Sequence, residues 1–162
     1  LGGDLSGSFG LDLYLVDTVV RHSRFSGGTV AIRPYNTDGR RFDLEVTDTV
    51  IEGAHGGIQI DGPGELRLDG VTFDSNHGCG ALLVIVGLVD HLGTEPVDII
   101  ARDTTFVSNV TETAFEYGYP AAVSFRGEDS FTCSGCRWED NLPHDVVRDD
   151  EVFDAPGSEV AL

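Results

Sequence analysis

Lysine and methionine are missing from these 162 residues, and tryptophan occurs once. All ten basic residues are arginine, set against 28 Asp and Glu, for a formal net charge of −18. That balance excludes nucleic acid and anionic membrane as main partners, because both carry the same sign as the protein. The longest apolar run, 81–86, is far too short to cross a bilayer, so no membrane insertion is expected. No stretch keeps helical periodicity over twelve residues, and no Ser-His-Asp order, P-loop or dinucleotide-binding glycine pattern is present. Cysteines number three. The single C-x-x-C at Cys133 and Cys136 would need a distant His77 or His144 to complete a zinc site. Small buried thiols or a local disulfide are the expectation there, with Cys79 left over. The opening LGGDLSGSFG is not a signal peptide, and a start at Leu1 is what a processed or excised chain would have.

What is present is a recurring phrase. Leu15-Val16-Asp17-Thr18-Val19-Val20 returns as Val46-Thr47-Asp48-Thr49-Val50-Ile51. Looser copies surround Gly70, Asp103 and Gly135. The anchor moves from 17 to 48, 70, 103 and 135, in steps of 31, 22, 33 and 32 residues. The shortest step suggests a unit of about 22 residues, a length suited to one solenoid coil, with the longer steps carrying insertions. Before each anchor the residues alternate apolar and polar, as in Phe42-Asp43-Leu44-Glu45-Val46-Thr47, which predicts half-buried strands. The Asp or Gly anchors suit tight corners. Three residues further on stand Val20, Ile51, Phe73, Phe106 and Trp138, all large and apolar, which predicts an interior column. A second set of short strands follows Gly-rich or Pro-containing corners at 29–32, 58–60, 81–84 and 121–125.

These patterns predict one domain over 1–162, an all-β solenoid of about five parallel coils in 11–141. Residues 1–10 form an N-terminal cap or edge segment, and the acidic stretch 142–162 a C-terminal tail or cap. A β-sandwich is the alternative all-β arrangement. Insertions fall at 33–41, 85–96 and 110–119, and the apolar stretch 85–89 is a candidate for packing back or for contact.

In this register Asp12, Asp43, Glu65 and Asp98 form an outward acid column. Stacked carboxylates raise one another's pKa or recruit a hard cation, so these four are the candidate metal ligands, with Ca2+ the cofactor they would hold. A solvated face is the simpler reading. Adjoining columns are compensated, with Glu45 beside Arg67 and Asp69 beside Arg102. Asn76, Asn109 and Asn141 occupy one corner of three consecutive coils and suit a side-chain ladder. His22, His55 and His77 follow the second anchors, and Asn109-Val110-Thr111 fits a glycosylation acceptor.

Phe73-Asp74-Ser75-Asn76 with Gly78-Cys79-Gly80-Ala81-Leu82 resembles the paired F-x-x-N and G-G-A-[ILV] signature of polymorphic outer membrane protein repeats. Phe106-Val107-Ser108-Asn109 and Trp138-Glu139-Asp140-Asn141 repeat the first half. More broadly, 11–141 resembles right-handed parallel β-helix repeat proteins. The resemblance implies a right-handed parallel β-helix, secreted or displayed at the cell surface and used in structure or adhesion. A surface glycan or protein is its expected ligand, and open ends allow self-association into filaments. No catalytic residue is assigned. The rival function is a carbohydrate-active β-helix enzyme, a polysaccharide lyase or glycoside hydrolase, by fold analogy.

Overall fold

The computed structural model describes residues 9–14, 17–35, 40–60, 62–78, 81–84, 96–111, 121–125, 127–149, 151–154 and 156–162. Within them the protein is all-β, built from three sheets of mostly parallel strands, with no helix. Sheet I contains, in spatial order, β1 (Phe9–Tyr14), β4 (Val30–Tyr35), β7 (Gly56–Ile60), β10 (Leu82–Val84), β13 (Val123–Phe125), β16 (Val146–Arg148) and β17 (Glu151–Phe153). Sheet II contains β2 (Thr18–Arg21), β5 (Phe42–Thr47), β8 (Gly64–Asp69), β11 (Val97–Arg102), β14 (Ser130–Ser134) and β18 (Glu159–Ala161). Sheet III contains β3 (Arg24–Ser26), β6 (Val50–Glu52), β9 (Thr72–Asp74), β12 (Thr105–Val107) and β15 (Arg137–Glu139). Up to β16 the chain visits sheets I, II and III in fixed rotation, and each visit adds a parallel strand beside the last. Among the described residues only β14·β18 and β16·β17 pair antiparallel, which is incompatible with the β-sandwich alternative.

Alternation fixes which side of each strand faces inward. In β5, Phe42, Leu44 and Val46 are buried while Asp43, Glu45 and Thr47 point out. Register then stacks like on like. Leu44, Leu66, Ile99 and Phe131 share one column, and Val46, Leu68, Ala101 and Cys133 the next. In sheet III the column is Phe25, Ile51, Phe73, Phe106 and Trp138. Its rings stack almost parallel, with centroids 5.2 Å apart for Phe73–Phe106 and 4.4 Å for Phe106–Trp138.

Val20 therefore does not belong to the column that sequence assigned it. It pairs with Val46 in sheet II, and Phe25 takes the place beside Ile51. The first copy of the phrase is out of frame with the other four. Its strand β1 lies in sheet I, with Leu11 opposite Ile32, and the corner falls at His22 rather than Asp17. His22 has φ 47°, matching Asp48 at 46°, Gly70 at 62°, Asp103 at 46° and Gly135 at 67°. The first step is thus 26 residues, from 22 to 48, and the rule of an apolar residue three positions past the corner holds at Phe25. The signal was hidden because histidine is not a usual corner residue, although it tolerates left-handed backbone better than most side chains.

The alternation of Asp and Gly at this corner has a steric cause. Asp48 Oδ1 lies 2.9 Å from where a Cβ on Gly70 would sit, and Asp103 Oδ1 crowds the same point on Gly135. At these two steps the Asp side chain of one corner thus leaves no room for a side chain at the next. A second left-handed corner, at Gly27, Gly53, Ser75, Ser108 and Asp140, turns the chain from sheet III to sheet I.

The C-terminal stretch both extends and covers the stack. β16 adds in parallel to sheet I; β17 and β18 then return antiparallel on β16 and β14. Trp138 Nε1 donates to Gly157 O at 3.0 Å, and Cys136 N donates to Ser158 O at 3.1 Å. Beneath this cover Cys133 and Cys136 form a disulfide across the Gly135 corner, with Cα atoms 5.9 Å apart. Earlier circuits hold those two inward positions with Val46 and Thr49, Leu68 and Val71, and Ala101 and Thr104. Among the described residues, no further parallel strand of sheets II or III follows the covalent link. A loop this short contributes roughly 2 kcal/mol. The disulfide also removes both sulfurs from any zinc site.

Residues 1–8 of the N-terminal cap, Cys79, the apolar stretch 85–89, His91 and most of the insertion at 110–119 lie outside the described residues.

Candidate functional site

The outward face of sheet II carries the densest pattern of charge. Asp43, Glu65 and Asp98 stand in one column, followed by Ser130. Asp12 does not join them, because β1 belongs to sheet I, where its Cα partner is that of Arg33. Arginine interleaves the three remaining acids. Arg67 reaches Asp43 Oδ1 at 2.7 Å and Glu65 Oε1 at 2.6 Å. Arg41 reaches Asp98 Oδ2 at 3.1 Å, and Ser130 Oγ donates to Asp98 Oδ1 at 2.8 Å. A cation would have to displace these guanidinium groups. Among the described residues no group of three or more His, Cys, Asp or Glu is arranged to hold a metal ion.

Arg41 carried no sequence signal of its own. It also donates to Gly64 O and Pro96 O, both at 3.2 Å, and so ties together chain segments brought close only by the register. Glu45 faces Arg67 in register, as sequence suggested, yet its ion pair is with Arg21 at 2.8 Å. Arg67 is drawn instead toward the two acids of the neighbouring column.

Beside these pairs lies a concavity of about 350 Å³ lined by Glu45, Thr47, Arg67, Asp69, Ile100 and Arg102. It spans β5, β8 and β11, near the corner to sheet III. That volume is at the small end for ligand sites. Two carboxylates and two guanidinium groups around the half-buried Ile100 give the concavity mixed charge on an otherwise acidic protein. Such a lining offers both donors and acceptors to a polar ligand.

The carboxylates with a resolved shift move down. Glu45 is held below its ordinary range mainly by the hydrogen bond from Arg21, with further help from its charge, from Thr47 and from Arg67. In sheet III, Glu52 is lowered by hydrogen bonds from Ser26 and Arg24. A lowered folded pKa means that the unfolded chain binds more protons in the window between the two values. The stabilisation is present above the unfolded value, about 4.3, and disappears as pH falls through the lower folded value. Urea unfolding between pH 7 and pH 3 is therefore expected to give a shallower pH dependence for Glu45→Gln/Glu52→Gln than for the native chain. Equal slopes would remove these two groups from the acid response.

Asn76, Asn109 and Asn141 lie at the sheet III to sheet I corner, buried and hydrogen-bonded to one another. Asn76 Nδ2 donates to Asn109 Oδ1 at 2.9 Å, and Asn109 Nδ2 to Asn141 Oδ1 at 3.0 Å. Each amide also donates to a carbonyl in the preceding circuit, namely Ile51 O, Phe73 O and Phe106 O. Asp145, not foreseen from sequence, accepts from Asn141 Nδ2 at 2.8 Å and ends the row. Asn109 is wholly inaccessible, so the Asn109-Val110-Thr111 acceptor is closed to glycosylation in the folded chain.

The histidines do not line one edge. His22 pairs with Asp48 at 3.5 Å, His144 pairs with Asp154 at 3.2 Å, and among the described residues only His55 and His77 are neighbours. No family model, curated protein or solved structure matches the chain.

Proposed function

We propose that this protein is a right-handed parallel β-helix acting as a non-catalytic structural and adhesive module, secreted or displayed at the cell surface. The fixed rotation of strands through three parallel sheets supports the β-helix reading. The strong preference of parallel crossovers for the right hand supports its handedness. The Cys133–Cys136 disulfide favours an oxidising compartment.

The arginine pairing of the outer acid column carries the choice of a binding module over a glycan-cleaving enzyme. A glycosidase needs one carboxyl kept protonated near neutral pH beside one that is ionised. Each of the three acids is instead engaged by an arginine side chain. The sheet II concavity is the ligand face of this reading, and a surface glycan or protein is its partner. β1, β2 and β3 lie at sheet edges among the described residues, so self-association by strand addition is assigned to that end.

Incubation with polygalacturonate and with a neutral β-glucan tests the reading. No new reducing ends above a heat-denatured control are expected, and migration in gels containing one of these glycans is expected to be retarded. Turnover that disappears in Glu65→Gln or Asp98→Asn would establish the enzyme reading instead.

A further inference from the structure

His55 and His77 stand at equivalent places in successive circuits. The 22-residue step that sets Ile51 opposite Phe73 also carries 55 onto 77. Their ring centroids are 5.9 Å apart, with planes at 71°. His55 is half-buried and lies over Gly78, where a Cβ would fall 2.5 Å from both Cε1 and Nε2 of the ring. Gly78 has φ 88°, so the backbone conformation and the missing side chain together make room for the imidazole. His77 is exposed. One ring is thus seated against the scaffold, and its neighbour projects into solvent beside it.

We propose that His55 and His77 form a two-histidine site for a borderline divalent transition metal such as Ni2+, Cu2+ or Zn2+. Imidazole nitrogens bind such metals at about 2.0–2.1 Å, which puts each ring centroid about 3.2 Å from the ion. A tetrahedral or square arrangement then needs centroids roughly 4.5–5.2 Å apart, so a small swing of the exposed His77 closes the observed gap. Water fills the remaining positions. Imidazole pairs prefer these metals over Ca2+ and Mg2+, whose sites are built from oxygen. The acidic surface raises the local concentration of any cation without supplying that selectivity. His22–Asp48 and His144–Asp154 each offer one imidazole and one carboxylate, and so serve as internal comparisons. The site is independent of the adhesive reading and of the sheet II concavity.

The test is calorimetric titration of chelator-treated, tag-free protein with NiCl2. One equivalent is expected to bind, and Ca2+ in about tenfold excess over Ni2+ is expected not to displace it. His77→Gln, at an exposed position, is expected to weaken binding by at least about tenfold, while His22→Gln and His144→Gln leave it unchanged. His55→Gln is expected to weaken it similarly, provided its circular dichroism matches the native chain. Native-like Ni2+ binding by His77→Gln, displacement by Ca2+, or no binding by the native chain would each overturn the proposal.

Discussion

Asn109→Ala is expected to destabilise the protein by about 3–5 kcal/mol, seen as a lower urea midpoint with little change in slope. The asparagine amide makes four contacts with no access to water. Its Oδ1 accepts from the backbone N–H of Asn76 at 3.2 Å and from Asn76 Nδ2 at 2.9 Å. Its Nδ2 donates to Phe73 O at 3.1 Å and to Asn141 Oδ1 at 3.0 Å. Truncation leaves Asn76 Nδ2 with Ile51 O and Asn141 Oδ1 with the Asn109 backbone N–H, so those two atoms keep partners. Asn76 N–H and Phe73 O lose these side-chain partners, at about 1–3 kcal/mol each where burial excludes water. The small cavity adds to this. Asn141→Ala is the comparison. Asn141 is 8% exposed rather than 0%, and water can reach that end of the row, so its loss is expected to be smaller. Equal effects at 109 and 141 would mean that burial does not set the cost.

That row was legible in the sequence because one residue type recurs at one spacing. Asn76, Asn109 and Asn141 are 33 and 32 residues apart, and in each circuit the asparagine follows the aromatic position by three. Strand alternation was equally open to reading, since Phe42, Leu44 and Val46 can be buried together only in an extended chain. The first circuit misled because a resemblance of letters, Asp17-Thr18-Val19-Val20 to Asp48-Thr49-Val50-Ile51, outweighed the corner's physical requirement. That requirement is a residue able to take φ near 50°, and His22 meets it. Once the corner is placed at 22, Val20 moves to sheet II, Phe25 enters the aromatic column and Asp12 leaves the acid column.

The pairing of the acids was less legible, for a different reason. Register alone sets Glu45 opposite Arg67. A long arginine side chain reaches diagonally as well as directly across. Arg67 therefore bridges Asp43 and Glu65, and Glu45 is taken by Arg21. Arg41 is harder still. Its partners at Gly64, Pro96 and Asp98 are 23, 55 and 57 residues away, and none shares a repeated position with it. Repeats reveal the positions that are shared. Register brought out the charged residues of the concavity and the matching places of His55 and His77, but the hollow itself and the approach of the two rings are side-chain geometry that periodicity does not carry.

Phe106→Ala is the second large effect expected, at about 3–5 kcal/mol, with Phe106→Leu costing less than half of that. Phe106 is fully buried and stacked between Phe73 and Trp138, at interplanar angles of 3° and 9°. Truncation to alanine removes apolar burial and both ring contacts, each worth about 0.5–1.5 kcal/mol beyond area. It also opens a cavity between residues held in place by the neighbouring strands β9 and β15. Those strands cannot close toward each other without breaking the backbone ladder that holds each of them about 4.8 Å from β12. The cavity therefore stays, which keeps the cost at the upper part of the range for large-to-small changes. Leucine fills most of the volume and forfeits mainly the stacking. The single tryptophan reports the same event directly. Trp138 loses the face that covers it in Phe106→Ala, so its native emission is expected to shift to the red, and in Phe106→Leu much less. If leucine proves as costly as alanine, ring-on-ring geometry rather than filled volume holds the column. In that case Phe73→Leu, whose stacking partner is Phe106 alone, would be the milder of the two leucine substitutions.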